Sequence, residues 1–235
     1  MYRSLDAAQI VQTCRESSLR VTERFPGSGL SKVAAELLAV SGQAAELSNW
    51  LAKPQLFLRT LAIVGIVAVL LIVGGVAMSM KLQFTITSVV DFLQGADAAI
   101  NEIVFIGIAV FFFLTLETRL KRHRALKAIH ELRSIAHIID MHQITKDPER
   151  ITGMAVSDPA VKRPQNPAEL IRYLDYCSDL LALISKIAAL YVQNFNDPVT
   201  LAAVNEVENL TNGLSRKIWQ KIMIFDRILA PGTAK

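Results

Sequence analysis

The chain has 235 residues, 52% of them hydrophobic, and a formal net charge of +4 at neutral pH. That size accommodates one membrane segment and one soluble helical domain. Its two cysteines, Cys14 and Cys177, have no Cys or His partner at ligand spacing, and no basic stretch is interleaved with aromatics, so paired-cysteine chemistry and nucleic-acid binding are not expected.

Residues 1–53 are expected to form an N-terminal cytoplasmic helical hairpin. The first helix covers Ser4 to Arg24 and the second Ser31 to Leu51, with Phe25-Pro26-Gly27-Ser28-Gly29 as the break and Ser31 as the second helix's cap. The glycines before Lys32 lack the spacing of a phosphate-cradling loop, so this is a helix connection. Both cysteines fit as small apolar residues on helix faces in a reducing compartment. Pro54 then separates the hairpin from the first apolar segment, and Arg59 is placed to reach the inner headgroups.

Residues 54–118 carry the apolar sequence. Leu61 to Met80 is a run of twenty residues without a charge, about 30 Å as a helix, which matches a hydrocarbon core. No small-residue cleavage site precedes it, so it is expected to be a membrane span that stays in the mature protein and not a leader. Gly65, Gly74, Gly75 and Ser79 give it small surfaces for close helix contact. Beyond it Leu82, Ile86, Val89, Val90 and Leu93 recur at helical spacing, ahead of Gly95 as a C-cap, and suggest a short amphipathic helix on the outer surface. A strand-like turn through Phe84-Thr85-Ile86-Thr87 is the alternative.

The second charge-free stretch, Ile103 to Leu116, has only fourteen residues, and the charges around it decide its reading. Arg119, Lys121, Arg122, Arg124 and Lys127 follow directly, whereas Asp91, Asp97 and Glu102 precede it. The positive-inside rule then puts the basic cluster and both chain ends in the cytoplasm, with a second span from Ala98 to Thr118. Anionic lipid headgroups suit that cluster. Neither span holds an ionisable residue at mid-membrane, which argues against a proton relay or an ion-coupled transporter. In a symmetric ring Glu102 could form an acidic mouth and Phe111, Phe112 or Phe113 a constriction; otherwise Glu102 and Glu117 simply mark the span's ends and the phenylalanines face lipid.

Helical periodicity continues unbroken through residues 119–145, so the second span is expected to run on as a cytoplasmic stalk. Residues 146–165, with Pro148, Gly153, Pro159 and Pro164, form a linker. Residues 166–235 form an antiparallel pair. Asn166, Pro167 and Glu169 start the first member, with an apolar stripe from Leu170 to Tyr191, and Asn196-Asp197-Pro198 caps the second, with Val204, Val207, Leu210, Leu214, Ile218, Ile222, Phe225 and Leu229 on one face.

All four histidines lie on the stalk. His123, His130 and His137 recur every seven residues on one stripe, opposite Ile129, Leu132, Ile135, Ala136 and Ile139. Three readings fit: a solvated polar face, a partner-facing stripe that titrates near pH 6.5, or part of a metal site with Asp140 and His142. Two imidazoles seven residues apart on one helix are about 10 Å apart, too far for a single ion without a second element. Arg133, His137, Asp140 and His142 are also candidate contacts for a partner at the stalk's far end, with Asp140 or Glu131 as neighbours for Arg133.

The fold is thus expected to be all-α: a two-span transmembrane hairpin joined to a cytoplasmic helical bundle. In layout it resembles the small two-span helical proteins of bacteria that assemble from several copies, which implies a multi-pass protein of the inner membrane with both termini cytoplasmic. The expected function is a non-enzymatic assembly or scaffold protein that binds membrane lipid, forms a homo-oligomer and docks a protein partner on its cytoplasmic helices. An oligomeric pore and a metal- or pH-responsive sensor are the alternatives. No hydrolase, kinase or redox motif is recognisable and no cofactor is expected.

Overall fold

A computed structural model describes residues 4–79, 89–144 and 167–229. Six helices account for nearly all of them, with no strand among the described residues. They are α1 (Ala7–Arg24), α2 (Gly29–Ala52), α3 (Leu56–Ser79), α4 (Val89–Ile144), α5 (Pro167–Gln193) and α6 (Pro198–Leu229). The linker 146–165, the cap Asn166 and most of the connection after the first span lie outside the described residues.

Local chemistry sets the helix ends. Asp6 caps α1, its carboxylate accepting from the Ala8 and Gln9 amides at 2.8 and 3.4 Å. Pro26 and Gly27, the latter at φ 69°, then turn the chain. The second helix starts earlier than its sequence suggests, because Ser28 and not Ser31 is the cap: the Ser28 hydroxyl accepts from the Ser31 amide at 3.1 Å, while Ser31 turns its own hydroxyl back to the Ser28 carbonyl at 2.8 Å. Asp197 caps α6 as the sequence indicates, accepting from both the amide and the hydroxyl of Thr200 at 2.9 and 2.8 Å. Gly95 does not end a helix. It lies within the 56 residues of α4, where a single glycine costs only about 1 kcal/mol.

The chain divides into two compact units, one of residues 1–52 with 124–235 and one of residues 53–123. The first is a helical bundle in which α5 packs against α1, α2 and α6. Burial explains its central place: Leu174, Cys177, Leu181, Ile184, Ile187 and Ala188 are fully enclosed and Leu170, Tyr173 and Tyr191 nearly so. Opposite them on α6 stand Val204, Val207, Leu214, Ile218, Ile222 and Phe225, with Leu210 half-buried against the same core. Edge-on contacts of Phe25 with Tyr173 and Tyr176, at 5.3 and 6.2 Å between ring centroids, seat the end of α1. The Ser48 hydroxyl donates to the Leu190 carbonyl at 2.9 Å, fixing α2 on α5. Leu5 and Gln193 exchange two hydrogen bonds at 2.9 and 3.2 Å, which tie the chain's beginning to the end of α5. From α4, the positions Ala125, Ile129, Leu132, Ala136 and Ile139 enter this core at spacings of three and four.

Cys14 and Cys177 are both thiols and both buried in this bundle. Burial pushes the Cys14 thiol up, against a smaller opposing effect of its hydrogen bond with Ser41, so at neutral pH it holds its proton. Neither cysteine should react with N-ethylmaleimide in the folded protein at neutral pH, and both should react once denaturant is added. Intact-mass measurement counts the adducts, and modification of the folded chain would show that this core opens readily.

In the second unit, α3 and the first part of α4 are each long and apolar enough to cross a membrane. Their surfaces differ from those of the bundle. Along α3 only Ala62 is buried among the described side chains, and along α4 none is buried from Leu93 to Leu120. Leu71, Ile72, Ile103, Phe105 and Leu114 are each about two-thirds exposed.

Candidate functional site

The most organised polar cluster in the second unit lies at the start of α3. Gln55 precedes the helix, and its amide, one of the donors that a helix start leaves without an intrahelical partner, meets Glu117 Oε1 from α4 at 3.1 Å. The same carboxylate takes Lys121 Nζ on Oε1 and Arg59 Nε on Oε2, both at 2.9 Å. Lys121 is 7% exposed and also donates to the Lys53 carbonyl at 2.8 Å. One carboxylate therefore neutralises two cations, occupies a helix N-terminus whose dipole favours negative charge, and joins two helices. Arg59 is accordingly committed to Glu117, with 57% of its side chain still exposed. In the sequence Glu117 and Lys121 stand apart, as a span end and a member of a basic cluster. Their four-residue spacing is the one sign there that they meet.

Farther along the two helices, Phe113 lies over Gly65, where a Cβ would stand 2.5 Å from ring atoms Cε1 and Cζ. Contacts with α4 thus run from Glu117 to Phe113 while those of α3 run from Gln55 to Gly65, in opposite chain directions. Of the other proposed helix-contact residues, Gly74 and Gly75 meet nothing within 4 Å, and the Ser79 side chain lies outside the described residues. Phe112 makes an edge-on contact with Phe113 and stands under the Arg119 guanidinium at 5.7 Å. Phe111 and Glu102 are exposed. These residues share one helix, α4.

On the far part of α4 the polar candidates separate. His123, His130 and His137 are all exposed, on the face opposite the buried Ile129, Leu132, Ala136 and Ile139. Arg133 does not pair within its own helix: it reaches Glu206 on α6 at 3.2 Å, both side chains about half exposed or more. Asp140 instead accepts from the Gln143 side chain. His142 is half-buried with its ring directly over Gly29, so closely that a Cβ there would overlap Cε1. Lys221 on α6 donates to the Gln143 carbonyl at 3.1 Å and closes the end of α4. No group of three or more metal-ligating side chains occurs among the described residues.

A third arrangement has no motif behind it: the Arg124 guanidinium lies 4.4 Å from the centroid of the Trp50 ring. Neither residue carries a sequence signal for the other. The chain between them has to fold back before they meet. Comparison with protein-family models, with curated proteins and with solved structures found no match for this chain.

Proposed function

We propose that this chain is a non-enzymatic scaffold of a bacterial inner membrane, with α3 and α4 crossing the bilayer as a hairpin and the helical bundle acting in the cytoplasm as an assembly platform. The observation that carries this reading is the pair of long apolar helices whose side chains find almost no cover within the chain. Exposed apolar surface on that scale is compatible with lipid or with further copies, and not with water. Three features support the hairpin and its direction. Glu117 and Phe113 pair with α3 in opposite chain order, the backbone of both helices satisfies itself internally, and the cations from Arg119 to Lys127 follow the second span.

The platform reading draws on what the bundle leaves outside. Its exposed polar face carries the histidines and the Arg133–Glu206 pair, a surface that a partner can reach. Open small surfaces at Gly74 and Gly75 leave room for close approach by a neighbouring helix.

Two measurements test this. The particle mass in nanodiscs should be a multiple of the 25.9 kDa chain, without conductance in planar bilayers. A monomer removes the assembly role, and a conducting oligomer replaces the scaffold with a pore. For orientation, Ala98→Cys should label with an impermeant maleimide from outside intact cells and Ser134→Cys only after permeabilisation. The reverse pattern would invert the hairpin.

A further inference from the structure

A cleft of about 240 Å³ opens in the unit formed by residues 1–52 and 124–235. Its lining includes Gln43 and Leu47 from α2, Arg124, Lys127 and Glu131 from α4, and Tyr191 from α5, with Val40 and Ala128 adding apolar wall. That is smaller than the sites that enclose drug-sized molecules, and suits a small group.

The side chains around it are of complementary kinds. Arg124 and Lys127 stand three residues apart on one side of α4, and neither belongs to an ion pair among the described residues. The Trp50 ring beneath the Arg124 guanidinium holds that group in place without neutralising it. A pre-positioned guanidinium beside an ammonium is the donor set that phosphate oxygens use. The Gln43 amide adds a further donor. Tyr191, 1% exposed, borders the same cleft, and burial together with the Glu131 charge pushes its phenol up, so it keeps its proton. Glu131 imposes the opposite requirement. A carboxylate on the wall disfavours a second anion and favours a group that can donate to it, a hydroxyl or an ammonium.

We propose that this cleft binds a phosphate ester bearing a small donor-rich headgroup, with the phosphate on Arg124 and Lys127 and the headgroup's hydroxyl or ammonium on Glu131. Such a ligand could be the headgroup of a membrane lipid or a free phosphate ester. The lipid source rests on the membrane reading proposed for α3 and α4, in which the cations from Arg119 to Lys127 directly follow the second span in the sequence.

The test uses the full chain in neutral detergent, titrated with short-chain phosphatidylglycerol and separately with glycerol 3-phosphate. Trp50 is one of only two tryptophans, so its emission in a Trp219→Phe background reports the cleft, and native mass spectrometry reads adducts independently. Binding should saturate, and Lys127→Gln, which leaves the Arg124–Trp50 stack intact, should weaken it about tenfold. Arg124→Gln combined with Lys127→Gln should abolish it. Arg216→Gln with Lys217→Gln, an equal change of charge on α6, should leave it unaltered. Binding of the lipid alone supports the site with a membrane lipid as its source, and binding of both compounds supports it as a site for phosphate esters in general. Binding of glycerol 3-phosphate by a chain recovered outside the membrane fraction keeps the site and removes the membrane reading. Failure to bind either compound overturns the site even if the chain is a membrane protein, and so does equal weakening by the α6 control pair.

Discussion

Replacing Glu117 with alanine should destabilise the unit of residues 53–123 by about 3 kcal/mol, because it strips the counter-charge from a nearly buried lysine. Lys121 is only 9% exposed at its side chain, and the neutral Lys53 carbonyl that it also meets cannot replace a carboxylate. The Gln55 amide loses its acceptor at the same time, which adds the cost of a missing helix cap. The figure sits at the lower end of the range for breaking a buried pair, since the carboxylate is 17% exposed and the Arg59 arm reaches solvent. Glu117→Gln keeps an acceptor for Gln55 and should cost less. Removing both charges as Glu117→Leu with Lys121→Leu should recover most of the loss, because apolar groups of similar volume carry no desolvation penalty. Thermal unfolding of the chain in nanodiscs checks all three. A double variant no more stable than Glu117→Ala would mean that packing at this position, not charge, holds the helices together.

That pair also marks the limit of what the amino-acid order makes legible. The faces of α5 and α6 are readable because burial recurs at the helical period, so the stripe from Leu170 to Tyr191 can be named residue by residue. The Asp197 cap is readable because an acid, a proline and a threonine occur together at a helix start. The two long apolar helices are readable from composition alone. Ser28 and Ser31 are chemically equivalent as caps, and only the turn at Gly27 decides that the helix starts early. Gly95 carries a stop signal that 56 residues of continuous helix override.

Tertiary partners are a different kind of information. Arg133 has acids within two turns on its own helix and yet pairs with Glu206, which periodicity cannot place. Trp50 over Arg124, His142 over Gly29 and Phe113 over Gly65 are likewise contacts between elements remote in the chain. A hydropathy pattern fixes which face of a helix turns inward. It does not fix the register between two helices, and each of these contacts depends on register.

Leu132→Ala should be the most damaging of the truncations on the far part of α4, and it separates the two faces of that helix. Leu132 is 0% exposed, between Ile129 and Ala136 on the stripe that enters the bundle core. Truncating a fully enclosed leucine costs about 2–5 kcal/mol, the spread reflecting how far the neighbours can close the cavity. Its neighbours here lie on helices, with Ile139 also 0% exposed, so little closure is available and the upper half of that range is expected. His130→Ala and His137→Ala, on the exposed face, should change stability by no more than about 0.5 kcal/mol. Chemical denaturation followed by far-ultraviolet circular dichroism measures the difference. A His137→Ala loss as large as that of Leu132→Ala would mean that the stripe is covered in the assembled protein, by a second copy or a partner. A small loss combined with altered particle mass would locate the histidines' contribution in assembly and not in folding, which is the outcome a scaffold requires of its solvent-facing side.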